Sequence, residues 1–90
     1  MDADQKERGY QFPLEVELIA FGPAGEPFAR DIEAHLVSGG AVRTATPVRT
    51  KPSRAGRYQA VHLPVWVSSR IELEHLYGVL ASHPDLKFRL

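Results

Sequence analysis

Residues 57–81 decide the fold, and their sequence is RYQAVHLPVWVSSRIELEHLYGVLA. In the first half, apolar side chains occupy every second position, which is the period of a strand with one buried face: they are Val61, Leu63, Val65 and Val67. Ser69 and Glu72 then form a capping box, in which the serine caps a helix and the glutamate reaches back. Apolar residues at helical spacing follow at Leu73, Leu76, Tyr77 and Leu80. The stretch therefore predicts a strand that leads directly into an amphipathic helix.

The preceding half of the chain predicts a strand, a helix and an edge strand. Residues 14–21 alternate between two faces and end at a loop over residues 22–25. Pro27 suits the first turn of a helix, which the glycines after Ser38 terminate; its apolar stripe is Phe28, Ile32 and Leu36. Residues 41–49 are rich in valine and threonine and contain a proline, which favours a strand at the sheet edge. A turn is expected over residues 50–56.

The last element and the third strand complete the pattern. Residues 83–85 end the second helix, and alternation over residues 86–90 predicts a final strand. Because Pro64 has no N–H to donate, we expect a bulge or a local break in the third strand.

The element order βαββαβ predicts the α+β, ferredoxin-like fold over residues 12–90, after a flexible tail over residues 1–11. Its four-stranded antiparallel sheet has the strand order 4-1-3-2, with two helices on one face. Opposite charges are expected to match across the first and last strands on the helix-free face: they are Glu15, Glu17, Lys87 and Arg89.

Composition narrows the class of protein. The chain has 90 residues, no cysteine and zero formal net charge, which excludes disulfides and thiolate chemistry and favours a cytoplasmic location. No phosphate loop, dinucleotide fingerprint or zinc pattern occurs. The histidines His35, His62, His75 and His83 are not at metal-ligand spacing. We therefore expect a protein that is not an enzyme and that has no cofactor, no metal site and no membrane partner.

Four ordered motifs carry a family resemblance. They are Phe12-Pro13, then Lys51-Pro52-Ser53-x-x-Gly56-x-Tyr58, then the serine-capped helix with Leu76-Tyr77, then His83-Pro84-Asp85-x-Lys87-x-x-Leu90. Over residues 12–90 the chain resembles the YbeD-like family of small bacterial proteins. The resemblance implies a shape similar to ACT regulatory domains and a link to lipoate metabolism. It favours a small regulatory or protein-interaction module with an unidentified protein partner.

The charge distribution gives the first candidate site. No acidic residue occurs between Glu33 and Glu72, and six cations lie in that span. Four of them fall within nine residues of the predicted hairpin: Arg49, Lys51, Arg54 and Arg57. Arginine binds carboxylate and phosphate groups with paired hydrogen bonds. The alternatives are a site for an anion or an acidic partner and a solvated hairpin tip.

Two further regions are candidates. The helix-free face is expected to carry an apolar patch, which comprises Ile19, Phe21, Tyr58, His62 and Trp66. Such a patch favours a homodimer, which forms through this face or through an edge strand. The alternative function is an RNA-binding domain that uses the sheet face, where bases stack, or the basic hairpin. The loop with Gly22 and Gly25 precedes a helix N-terminus, which would favour an anionic ligand. A small-molecule sensor is therefore the second alternative. Nucleic-acid binding is disfavoured because Glu15 and Glu17 would repel phosphates.

Overall fold

Alternation and helical spacing build a βαββαβ domain in the computed structural model, which describes residues 11–89. Its elements are β1 (Leu14–Pro23), α1 (Glu26–Ser38), β2 (Val42–Arg43), β3 (Arg49–Pro52), β4 (Tyr58–Val67), α2 (Arg70–Ala81) and β5 (Phe88–Arg89). The predicted N-terminal tail lies outside the described residues, except for Gln11. The predicted edge strand over residues 41–49 is present as two short segments, β2 and β3, the second of which extends into the predicted turn.

The sheet has the predicted strand order. β4 pairs antiparallel with β1 along its whole length, and β1 pairs antiparallel with β5. β2 and β3 both pair with the outer side of β4 and share one edge position. Four strand positions in the order 4-1-3-2 result, which confirms the α+β fold.

The core lies on one face of this sheet, under both helices. On this face every second residue of β4 is buried, and β1 adds Leu18 and Ala20; Leu18, Leu63 and Val65 are at 0–1% exposure. The helices add their apolar stripes to the same cluster, namely Phe28, Ile32, Leu36, Leu76 and Leu80. Each such side chain contributes about 1.5–3 kcal/mol by leaving water, so this layer holds the domain together.

Pro64 does not interrupt its own strand. β4 keeps an unbroken register with β1 through the pair Glu17 and Pro64, so the predicted break in this strand is wrong. The interruption lies in the edge: from Val42 to Arg49 the edge advances seven positions, while the paired residues on β4 advance four. The carbonyl of Pro64 accepts the Thr44 N–H at 3.3 Å, so its backbone faces this gap. A missing N–H costs little where no ladder partner is present.

Arg43 fills the gap in the edge. Its guanidinium donates to the carbonyls of Thr44 and Thr46 at 2.9 Å and to that of Pro64 at 3.2 Å. Its Nε lies 3.2 Å from a Glu33 carboxylate oxygen without hydrogen-bond geometry. One of the six clustered cations therefore has a structural role.

β1 continues through two residues that were assigned to a loop. Gly22 and Pro23 pair in register with Gln59 and Tyr58, which corrects the predicted strand end. The ring of Phe28 occupies the space that a side chain at Gly22 would need. The loop is thereby reduced to Ala24 and Gly25, whose φ of 107° favours glycine.

The predicted charge match between the first and last strands is wrong. β5 is two residues long and pairs only near the end of β1, with Phe88 opposite Phe21. The Lys87 N–H also donates to the Phe21 carbonyl at 2.8 Å, so two residues oppose one, as in a β-bulge. Glu15 and Glu17 lie in the first half of β1, beyond the reach of this short pairing. The predicted strand order is correct, although this charge match does not contribute to it.

The capping box of α2 is present with one difference. The Ser69 hydroxyl accepts the Glu72 N–H at 3.0 Å, as predicted. The Glu72 carboxylate accepts hydrogen bonds from the N–H and hydroxyl of Ser68, at 2.6 and 2.8 Å. These two bonds lower the pKa of Glu72 and fix the turn between β4 and α2.

Candidate binding surface on the open sheet face

The face of the sheet that carries no helix is called the open face here, and it displays the alternate residues of each strand. Its members are Glu15, Glu17, Ile19 and Phe21 of β1, Val42 of β2, Arg49 and Lys51 of β3, and Tyr58, Ala60, His62, Pro64 and Trp66 of β4. All five residues predicted for this face are therefore on it. Val42, Trp66 and Tyr58 are 57%, 45% and 38% exposed, so apolar surface remains in contact with water here.

A triad of Glu17, Arg49 and His62 lies at the centre of the open face. Glu17 accepts hydrogen bonds from Arg49 at 3.2 and 3.3 Å, and one of its oxygens lies 3.1 Å from Nδ1 of His62. The hydrogen bond from His62 and the positive charge of Arg49 lower the pKa of Glu17. Arg49 was predicted to act with the other hairpin cations, but the structure places it in this triad instead.

The remaining hairpin cations lie at one end of the sheet. The hairpin is closed by the Ser53 N–H, which donates to the Tyr58 carbonyl at 2.8 Å, and its turn contains Gly56 with a φ of 78°. The exposed cations Lys51, Arg54 and Arg57 have no side-chain hydrogen bond or ion pair to any part of residues 11–89. They are thus available to a partner.

A fourth cation joins this end from the position just before the last strand. The Nζ atom of Lys87 lies 5.8 Å from the centre of the Tyr58 ring, within the range of a cation–π contact. Lys51, Arg54, Arg57 and Lys87 are called the basic end from here on. Lys87 is predicted to lie beside Glu15 and Glu17, and no signal in the sequence places it next to Tyr58.

The opposite end of the open face is acidic and apolar. Glu15 lies opposite Trp66 in the register, and its carboxylate accepts a hydrogen bond from the Thr44 hydroxyl at 3.2 Å. A shallow cleft of about 390 Å³ borders this end. Its lining residues are Pro13, Val42, Trp66, Val67, Ser68 and Glu72. The two ends of the face therefore differ in the sign of their charge.

The loop between β1 and α1 is bonded to the chain itself. The Gln59 side chain donates to the carbonyls of Pro23 and Gly25 at 2.8 and 2.7 Å. The Ala24 N–H donates to the Arg57 carbonyl at 2.9 Å. The small-molecule site predicted at Gly22 and Gly25 stays a prediction, and these bonds tie the loop to residues 57 and 59 at the start of β4.

The four histidines each contact the chain. Nε2 of His35 lies 2.8 Å from the carbonyl of Val79, and Nε2 of His75 lies 2.8 Å from that of Gly39, which ties α1 to α2. Nδ1 of His83 accepts the Asp85 N–H at 3.1 Å, and His62 contacts Glu17. Within residues 11–89, no three histidine or acidic side chains are grouped so that they could hold a metal ion.

These features define a small α+β domain with one helix-covered and one open sheet face. Residues 7–90 match the family described as "Protein of unknown function (DUF493)", and the chain belongs to this family. In the part of the chain that the structure describes, no helix has the length and apolarity needed to cross a membrane.

Similar proteins extend over nearly the whole chain. A UPF0250 protein of Xylella fastidiosa (strain 9a5c) is 30% identical over 88 residues, which cover 98% of this chain and 96% of that protein. A UPF0250 protein of Stenotrophomonas maltophilia is 28% identical with the same coverage. One of Xanthomonas axonopodis pv. citri is 29% identical over 90 residues, with 100% and 98% coverage. No solved structure gives a significant match. The YbeD-like resemblance is thereby confirmed.

Proposed function

We propose that this chain is a non-catalytic regulatory or protein-interaction module that binds an acidic protein partner through the basic end. The observation that carries the proposal is a difference among the clustered cations: some bind other groups of the chain and some do not. Arg43 and Arg49 are held by carbonyl and carboxylate groups of the chain. Lys51, Arg54 and Arg57 have no such partner within residues 11–89. Like charges kept close together raise the energy of the free protein, and an anionic partner relieves this repulsion.

The proposal includes the finer expectations from the family resemblance. An ACT-like regulatory role, a link to lipoate metabolism and a cytoplasmic location are parts of it. The absence of cysteine supports the location, and the contacts of the histidines with their own chain support a structural role for these residues.

Single-stranded nucleic acid is the second candidate partner. Tyr58 is 38% exposed beside the basic end, and the neighbouring strand presents Phe21 on the same face. Bases stack on such aromatic rings while cations contact the phosphates. The glutamates at the other end would repel a strand that crossed the whole face. A protein partner is therefore favoured over nucleic acid.

The test is affinity capture from an extract of the native host at low and physiological salt. Arg54→Glu with Arg57→Glu should reduce capture of the acidic partner by roughly tenfold or more, because the two glutamates repel an acidic partner both during its approach and in the complex. Wild-type capture should fall as salt rises, since charges are screened beyond about 8–10 Å.

A matched variant controls for net charge. Arg30→Glu with Arg70→Glu makes the same change of charge on the helices, where each arginine pairs with a glutamate on its own helix. This variant should capture the partner as wild type does. Equal capture by the hairpin variant would refute the acidic-partner proposal. Sub-micromolar binding of a labelled single-stranded RNA that is lost in Tyr58→Ala would assign the site to nucleic acid.

A further inference from the structure

The open face has opposite charges at its two ends. Glu15 lies beside Trp66 at one end, and Lys87 lies over Tyr58 at the other. Tyr58 and Trp66 are eight residues apart on β4, which is roughly 26 Å at about 3.3 Å per residue. Both ends also carry an exposed aromatic ring. If a second copy is turned end for end and laid on this face, the acidic end of each copy meets the basic end of the other.

We propose that a second copy of this chain packs on the open face, with a two-fold axis that runs across the strands through the row of His62. Such an axis reverses the strand direction, so each end of the face meets the opposite end of its partner. Trp66 then packs on Tyr58 of the partner subunit, and Glu15 meets Lys87 of the partner subunit. Both contacts occur twice, as in any isologous interface.

The other face-to-face arrangement is disfavoured by the same charges. A two-fold axis along the strands would bring like ends together, so that Glu15 and Glu17 would approach the glutamates of the second copy. Juxtaposed like charges cost several kcal/mol at an interface. The position of the charges therefore decides the orientation of the two sheets.

The centre of the face tolerates burial because its charges are already paired. His62 lies on the proposed axis, and Glu17 and Arg49 form their ion pair beside it at 3.2 Å. An unpaired charge would make burial costly, whereas a pair retains its partner. Half-buried Ile19 and Phe21 supply apolar contact around the triad.

The size of the face predicts a weak dimer. Only β1 and β4 run the full length of the face, while β2, β3 and β5 are shorter. At a strand spacing of about 4.8 Å and a rise of about 3.3 Å per residue, the footprint is on the order of 400 Å² per copy. The total of about 800 Å² is below that of a standard specific interface and in the range of weak, transient contacts. A concentration-dependent equilibrium between monomer and dimer is therefore expected.

The experiment combines sedimentation velocity with tryptophan fluorescence over a wide concentration range, roughly 1 μM to 1 mM. Trp66 is the only tryptophan of the chain, and its emission should shift to the blue as dimers form. Glu15→Lys and Lys87→Glu should each weaken the dimer at least roughly tenfold, because each creates two like-charge contacts. The double variant exchanges the charges and should restore wild-type affinity.

Two further variants keep the result interpretable. Asp31→Lys makes the same charge change as Glu15→Lys at an exposed position on α1 and should leave the dimer unchanged. Trp66→Arg should abolish the dimer, and it replaces Glu15→Lys if that variant does not fold.

Three results would overturn this inference: a monomer at all concentrations, a dimer that neither single variant weakens, or a double variant that stays monomeric. The dimer does not depend on the proposed function. Arg54→Glu with Arg57→Glu should lose the acidic partner and still dimerise, so failure of one proposal is distinguishable from failure of the other.

Discussion

The two faces of β4 are built from adjacent residues and differ in almost every physical respect. Val61, Leu63 and Val65 on the helix-covered face are fully buried, whereas Tyr58 and Trp66 on the open face are more than one-third exposed. On the covered face, shape and apolar contact determine the free energy of folding. On the open face, Glu17 and Arg49 form a partly exposed ion pair, and such pairs contribute little to the free energy of folding. The comparison indicates that stability is concentrated on the covered face.

Removing a large side chain from the covered face should have the largest effect. Leu63→Ala should lower the free energy of unfolding by about 2–5 kcal/mol, because it leaves a cavity among side chains that cannot collapse into it. Trp66→Ala on the open face should cost less than about 1 kcal/mol, despite the larger side chain. Denaturant unfolding at low protein concentration measures both changes. Equal losses for the two variants would contradict the division between the faces.

The turn between the strand and α2 should have an intermediate effect. Ser69→Ala removes the acceptor of the Glu72 N–H and should lower the free energy of unfolding by about 1 kcal/mol. Ser68→Ala is the matched control, since its backbone N–H can still donate to Glu72 and the loss should be smaller. The denaturation midpoints of the two variants provide the comparison. An unchanged midpoint for Ser69→Ala would mean that the helix does not depend on this cap.

The open-face triad should have the smallest effect on stability, and that effect should depend on pH. The pKa of Glu17 is lowered in the folded protein, so its ionised form contributes stability above the unfolded pKa of about 4.3, and this contribution is lost as pH falls through the folded pKa. Because the side chain is 37% exposed, solvent screening limits the contribution to about 0.2–1 kcal/mol.

Glu17→Gln tests this contribution. The variant should be less stable than wild type at neutral pH, and the difference in melting temperature should shrink as the pH is lowered from 7 to 3, because the Glu17 carboxylate becomes protonated as pH falls through its lowered pKa. Glu72 also has a lowered pKa and remains in both proteins, so it cancels in the comparison. A difference that persists unchanged at pH 3 would show that the triad acts through packing and not through charge.

Much of the fold could be predicted because its signals are local. Alternation predicted β1 and β4, the stripe with Phe28 and Leu36 predicted α1, and the capping box predicted the start of α2. The two-strand edge could not be predicted, because its interruption depends on how residues 44–48 pass Pro64 on a neighbouring strand. By contrast, the period of the strands alone predicted correctly which residues lie on the open face, namely Ile19, Phe21, Tyr58, His62 and Trp66.

The candidate site was less predictable, because register decides which charges meet. Four hairpin cations were expected to act together, yet Arg49 lies opposite His62 and is within reach of Glu17. Lys87 was expected beside the glutamates, yet the short pairing of β5 and the bulge opposite Phe21 place it over Tyr58. A shift of one position in register moves a side chain to a different set of neighbours.

The sequence by itself determined the order of elements, the buried stripe of each and the crowding of cations on the hairpin. These properties depend on residues within a few positions of one another, which hydrophobic period and capping chemistry specify directly. Only the tertiary structure decided that Glu17, Arg49 and His62 form a triad and that the acidic and basic ends lie on one face. The reason is physical: contacts between distant strands depend on register, on bulges and on where a short strand stops, and none of these is specified by the local period of apolar residues.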